Sequence, residues 1–173
     1  MINTANLSTS VIKNLINCNI PETDQRKFVN GIYHLGKLAP PVLIKGTINE
    51  LQSTGKLLSI RNIEIREQLT IMLGVYEEFN AIYRQAIDFV SPHVNYIDEK
   101  VGFKIDSPTR GNSELFWEDA SFNLDSLCKD NKFIAAVSAI RNYTYDVANW
   151  NELTLKEFKI FQKAVQNELN IKE

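Results

Sequence analysis

The sequence predicts an all-α protein, a helical bundle with two long antiparallel helices and several shorter helices beside them. Three observations carry this. Apolar residues recur at alternating spacings of three and four from Asn62 to Val90 and again from Asn131 to Leu169, the period of a helix face. Residues that start and stop helices fall where those periodic stretches begin and end. No run of alternating β-branched residues suggests a sheet.

At 173 residues the chain is most economically a single domain, 1–173, large enough to bury a core without metals or disulfides. Taking the elements in order, Ser8 or Thr9 is placed to cap "SVIKNLIN", which would bury Val11, Ile12 and Leu15. Pro21 breaks that helix. Thr23 or Asp24 then caps "QRKFVNGIYHLGK", with Phe28, Ile32 and Leu35 on one face. "LAPPVL" reads as a rigid, extended connector, because a residue before proline is pushed out of helical geometry.

The next stretch, "INELQSTGKLLSIRNIEIREQL", is an elbow. Thr47 and Glu50 have the capping-box spacing. Gly55 can take the left-handed conformation that ends a helix. Leu57, Leu58 and Ile60 are then expected to plug a core, and Asn62 to cap the long helix, with Glu64 complementing its dipole.

That helix carries the stripe Ile65, Leu69, Met72, Tyr76, Phe79, Tyr83, Ala86 and Val90, and a second face of Ile63, Ile71, Val75, Ile82 and Phe89. Ser91-Pro92 is expected to end it. Residues 91–130 read as an irregular excursion, with eight acidic against four basic residues. Within it, "SFNLDSLCKD" is a candidate short helix presenting Leu124 and Leu127. The final helix is expected to be continuous, since neither Pro nor Gly interrupts it; Thr154 with Glu157 offers a capping box that would instead split it near Asn151.

Composition narrows the function. The formal net charge is −2, with nine basic and eight acidic residues through Val90 and ten against thirteen after it. Neither half is a polyanion-binding surface, so nucleic acid is not expected as a partner. No stretch reaches the roughly 18 apolar residues that a membrane span requires. "MINTANLSTS" lacks the basic and apolar regions of a signal peptide. The expectation therefore divides between a cytoplasmic chain starting at Met1 and an exported one from which the export segment has been removed. Cys18 and Cys128 are expected as reduced, partly buried thiols. The alternative is a disulfide stapling the N-terminal segment to the C-terminal half in an oxidising compartment.

No catalytic residue, cofactor site or metal site stands out. His34 and His93 have no partner at ligand spacing, and "STGK" lacks the upstream glycine of a phosphate loop. Glu118, Asp119 and Asp125 do not reproduce a calcium loop. The candidate ligand-binding residues are Arg61, Arg66 and Arg84, since arginine at a helix N-terminus can clamp a carboxylate, and Trp117, in the irregular segment. The competing expectation has the arginines pairing with nearby acids to lock the elbow. Tyr76, Phe79, Tyr83, Tyr143, Tyr145 and Trp150 are expected mainly as packing between the long helices.

Leu51, Ser53, Gly55, Leu57, Ile60, Arg61, Asn62, Ile65 and Arg66 resemble the hallmark of an uncharacterised bacterial family of membrane-anchored proteins. The family pattern is leucine–x–serine–serine–glycine–x–leucine, then isoleucine–arginine–asparagine, then x–leucine–arginine and a long helix. Thr54 stands for the second serine and Ile65 for the later leucine; both replacements are chemically close. Looser similarity runs from about Ile12 to the terminal "AVQNELNIKE". The resemblance implies a helical domain outside the cytoplasm, tethered through an N-terminal membrane segment absent from this chain, with no reaction attached.

The functional expectation is therefore a non-catalytic extracytoplasmic interaction or sensory domain that binds a small anionic ligand or an envelope protein. The alternatives are a cytosolic helical adaptor and an enzyme with an unrecognised site in 91–130.

Overall fold

A computed structural model describes residues 2–37, 46–104 and 115–170; the proline-rich connector "LAPPVL" lies outside them. Six α-helices form along the described chain: α1 (Ile2–Asn17), α2 (Gln25–Tyr33), α3 (Gly46–Ser53), α4 (Ile63–Lys100), α5 (Leu124–Lys129) and α6 (Asn131–Asn170). The two-residue strands β1 (Gly102–Phe103) and β2 (Ala120–Ser121) pair antiparallel. The molecule is an all-α bundle in which α4 and α6 pack against each other.

Four contacts fix the direction and register of that packing. The Asn62 side chain donates to Glu168 Oε2 at 2.6 Å. The Tyr76 ring meets Phe158 edge-on at 6.3 Å. Phe89 stacks on Tyr143 at 4.2 Å. The Tyr96 hydroxyl donates to Asp130 Oδ2 at 2.7 Å. Moving forward along α4 means moving backward along α6, so the two helices are antiparallel.

The predicted end of α4 at Val90 is corrected: the helix continues to Lys100 with Pro92 inside it. Proline removes the bond to the Asp88 carbonyl and costs a helix interior about 3 kcal/mol. Asp88 is exposed, so water can reach its carbonyl. Beyond the proline, Ile97 and Val101 are fully buried, each contributing roughly 1.5–3 kcal/mol. Burial outweighs the local penalty. The irregular excursion is correspondingly shorter than predicted, and its residues 105–114 lie outside the described set.

The helix α6 is continuous as expected, and Thr154 shows why. Its buried hydroxyl donates to the Trp150 carbonyl one turn back, at 2.8 Å, so it serves the helix interior instead of capping a new one.

The chain divides into two compact units, residues 1–38 with 85–148 and residues 39–84 with 149–173. The first unit holds the larger core, built on Leu15, Phe28, Val90, Phe133, Val137 and Ile140. Helix α1 starts at Ile2, well before the predicted caps, and Ser8 is buried within it. Packing on α2 extends it: a Cβ on Gly31 would lie 2.5 Å from Val11 Cγ2 and 3.3 Å from the Leu7 carbonyl oxygen, so only glycine permits that crossing. Asp24 occupies the N-cap position of α2 without a side-chain cap bond. Asn123 caps α5 by accepting from the Ser126 N–H at 2.9 Å, and Leu127 is buried, as the short-helix expectation required.

Cys18 and Cys128 form a disulfide with their Cα atoms 5.5 Å apart, which overturns the expectation of reduced thiols. Cys18 follows the end of α1 in the left-handed region, φ 46°, a conformation costing a non-glycine residue roughly 1–2 kcal/mol. The bond closes a loop with a sequence separation of 110, for which chain-entropy arguments give roughly 4–5 kcal/mol of stabilisation. The constraint is larger than the strain.

In the second unit, Gly55 has φ 70° and a 3-10 turn follows over Lys56–Ser59. Asn62 caps α4 as expected, its Oδ1 accepting from the Ile65 N–H at 3.3 Å. Thr47 lies inside α3, so it is not the N-cap. Neither α3 nor the 3-10 turn buries a residue, so the expected buried plug of Leu57, Leu58 and Ile60 does not form among the described residues.

Asp130 closes the first unit electrostatically. It accepts from the Tyr96 hydroxyl and from the Phe133 N–H, the latter at 3.0 Å, and sits 3.9 Å from Lys100 Nζ. The Tyr96 hydrogen bond, followed by that of Phe133, holds its carboxyl below the usual carboxylate range. A depressed carboxylate stabilises the fold above its unfolded value near 4, and the benefit is lost as pH falls through the lower folded value. Asp130→Asn should therefore unfold at lower urea concentration than the parent at neutral pH, with the difference shrinking below about pH 4. A constant gap across that range would contradict the assignment.

Candidate functional site

The second unit carries an apolar surface that its own core does not use. Burial in α4 follows Ile65, Leu69, Met72, Tyr76 and Phe79, which face α6 through Phe158 and its neighbours. At roughly 100° per residue, Ile71, Val75 and Ile82 project about a quarter turn away from that stripe. On α6, Leu153 and Ile160 project by about the same angle, in the same rotational sense, from the face that holds Thr154 and Phe158. For antiparallel helices, that common sense puts both sets on one side of the pair. The result is a ledge in which Ile71, Leu153 and Ile160 are exposed, with Val75 and Ile82 half-buried behind them.

The ledge runs into a groove at the elbow. The 3-10 turn leans back over the first turns of α4 and leaves a shallow groove of about 490 Å³, lined by Leu57, Leu58, Ile63, Arg66, Glu67, Thr70 and Ile71. Leu58 is 77% exposed, Ile63 60% and Ile71 47%. Contiguous exposure of large aliphatic side chains is the feature that marks interaction surfaces, whereas single ones need no explanation. Arg66 and Glu67 supply the polar edge of the groove. Around Ile160 and Leu155 the rim is basic, formed by Lys156, Lys159 and Lys163 with Glu152.

The residues singled out from sequence fare differently. Arg66 lines the groove, and its Nη1 approaches the Leu58 carbonyl at 3.4 Å, tying the turn to α4. Arg61 and Arg84 are exposed. Arg84 lies about 27 Å along the helix from Arg66, so these arginines do not converge on one ligand. Trp117 belongs to the first unit, where it packs against Phe28 at 6.3 Å and Phe122 at 5.0 Å. The adjoining Leu115 is pinned by a two-way amide pairing with Asn30: Nδ2 donates to the Leu115 carbonyl at 2.7 Å, and the Leu115 N–H donates to Oδ1 at 3.0 Å. That segment is clamped onto α2.

His34 is half-buried against Tyr33; burial, reinforced by Lys37, holds its imidazole below the usual value and therefore neutral near pH 7. His93 packs on Phe89. Among the described residues, no group of three or more His, Cys, Asp or Glu side chains is placed to hold a metal ion, and no helix is long and apolar enough to cross a membrane. No protein-family model, curated protein or solved structure matches the chain.

Leu58, Leu153 and Ile160 were not expected at a site. The second apolar face of α4 was visible in the sequence, but which of its residues would stay uncovered depends on where α6 lies. The surface assignment has a direct stability consequence. Leu58→Ser and Ile71→Ser should each change unfolding free energy by no more than about 0.5 kcal/mol, whereas Phe79→Ala should cost about 3–5 kcal/mol. Urea denaturation separates the two classes, and a large loss at Ile71 would mean that it is core.

Proposed function

We propose that this chain is a non-catalytic interaction domain that works outside the cytoplasm of a bacterium as part of a membrane-anchored protein. The observation that carries the reading is the exposed apolar surface of the second unit, running from the elbow groove to the ledge. Its lining is aliphatic, which suits docking better than bond-making chemistry. A basic rim around an apolar strip favours an amphipathic helix with acidic flanks, laid into the groove by its i, i+3, i+4 face. An envelope protein presenting such a helix is the proposed partner.

Two further features support the setting. A disulfide persists in oxidising compartments and is rare in a reducing cytosol, and Cys18 and Cys128 are bonded. The resemblance to a membrane-anchored family rests on residues that build the elbow itself: Gly55 makes the turn, Asn62 caps α4, and Leu57 and Arg66 line the groove. The cytosolic adaptor reading shares the docking surface and differs in the state of the cysteines. A small anion at Arg61, Arg66 and Arg84 is the weaker ligand reading, because Arg84 lies about 27 Å along α4 from Arg66.

Photo-crosslinking in bacterial cells tests both halves. A photoreactive residue at Ile71 or Leu153 should give a discrete adduct with an envelope protein, and one at Lys13, on the exposed side of α1, should not. Thiol trapping without reductant should leave Cys18 and Cys128 unlabelled. Absence of any adduct from both ledge positions would overturn the docking role, and freely labelled cysteines would move the domain to the cytosol.

A further inference from the structure

The first unit contains a cavity unrelated to the docking surface. It measures about 280 Å³ and lies where the end of α2 and the turn after it meet the last third of α4 and β1. Tyr33, Val94, Ile97 and Phe103 give it apolar walls, and Lys37 and Asp98 bring one positive and one negative charge to the same lining. The aromatic wall is ordered by its own contacts: Tyr33 and Phe103 meet edge-to-face, with centroids 5.3 Å apart. Lys37 Nζ lies over the Tyr33 ring, 3.0 Å from its centroid, so a cation–π contact keeps the ammonium at the cavity.

We infer that this cavity binds a small zwitterion with an apolar side chain, of the α-amino-acid type. The two charges come from different elements, and no ion pair joins Lys37 to Asp98 among the described residues. A ring face orients an ammonium but does not neutralise it, so Lys37 can still accept a carboxylate partner while Asp98 accepts an ammonium. A simple anion would meet repulsion from Asp98, and a simple cation from Lys37. A zwitterion satisfies both and leaves its side chain for Val94, Ile97 and Phe103. The volume of about 280 Å³ falls just below the range of roughly 300–1,000 Å³ common for small-molecule sites, which suits a single amino acid better than a peptide. The assignment uses neither the ledge nor the elbow and stands apart from the proposed docking role.

Isothermal titration calorimetry on the full chain tests it, with L-leucine and L-phenylalanine as probes and N-acetyl-leucine and leucine amide as controls lacking one charge each. At least one zwitterion should bind saturably, and its blocked analogues at least about tenfold more weakly. Lys37→Met and Asp98→Asn should each weaken the zwitterion by a similar factor; both side chains are exposed, and unchanged helical circular dichroism would verify the fold. Exchanging the charges, Lys37→Asp with Asp98→Lys, should recover part of the loss. Binding of no zwitterion at millimolar concentration, or binding indifferent to both single substitutions, would overturn the assignment.

Discussion

The antiparallel register of α4 against α6 is the constraint from which the other features follow. Two helices of 38 and 40 residues can slide past one another by a turn with little change in the character of the buried stripe, because apolar residues repeat every three or four positions on both. Specific contacts remove that freedom. The Asn62 amide on Glu168 and the Asp130 carboxylate on Tyr96 are polar pairs that a slipped register would leave unmatched. A slipped register would break both hydrogen bonds without remaking them, which favours the observed alignment. The stacked Phe89–Tyr143 pair and the Tyr76–Phe158 pair add directional packing between them.

With that register set, each unit solves its burial problem differently. The first unit surrounds its segments of α4 and α6 with α1, α2 and α5, adds a disulfide, and encloses Phe28, Phe133 and Ile140 completely. Among its described residues the second unit has only α3 and a 3-10 turn beside its helix pair, and neither contributes a buried side chain. One flank of the pair is left with aliphatic residues in water. Exposed apolar area of that kind is unfavourable for an isolated domain and useful for one that docks. The proposed docking role rests on what the second unit leaves exposed, and the proposed amino-acid site on Lys37 and Asp98, which form no ion pair with each other among the described residues.

The fold class was legible because helical period is a strong, local signal, and so were Gly55 as the left-handed turn residue, Asn62 as a cap and the short helix presenting Leu127. What sequence reasoning missed was decided by tertiary burial. Ser91-Pro92 is a genuine local stop signal, yet Ile97 and Val101 keep the helix going by anchoring its last turns in the core. Ser8 and Thr154 have cap-type side chains, but neighbouring helices bury both, and the Thr154 hydroxyl finds a carbonyl one turn back. The pairing of Cys18 with Cys128 depended on α1 lying beside α5, which no local pattern encodes. Among the candidate ligand residues, Trp117 drew attention by standing in irregular sequence; Asn30 and Phe28 turn that segment into packing. Arg61 precedes α4, and spacing alone puts Arg84 several turns along that helix from Arg66.

The register itself is open to direct measurement. Nuclear Overhauser spectroscopy on the full chain, with the aromatic rings selectively labelled, reads two pairs that lie far apart along the helices. Cross-peaks between the rings of Tyr76 and Phe158, together with cross-peaks between Phe89 and Tyr143, are the predicted result. Cross-peaks that instead connect Tyr76 to Phe161, or the absence of both pairs in a well-folded sample, would show a different alignment of the two helices and would remove the ledge along with it.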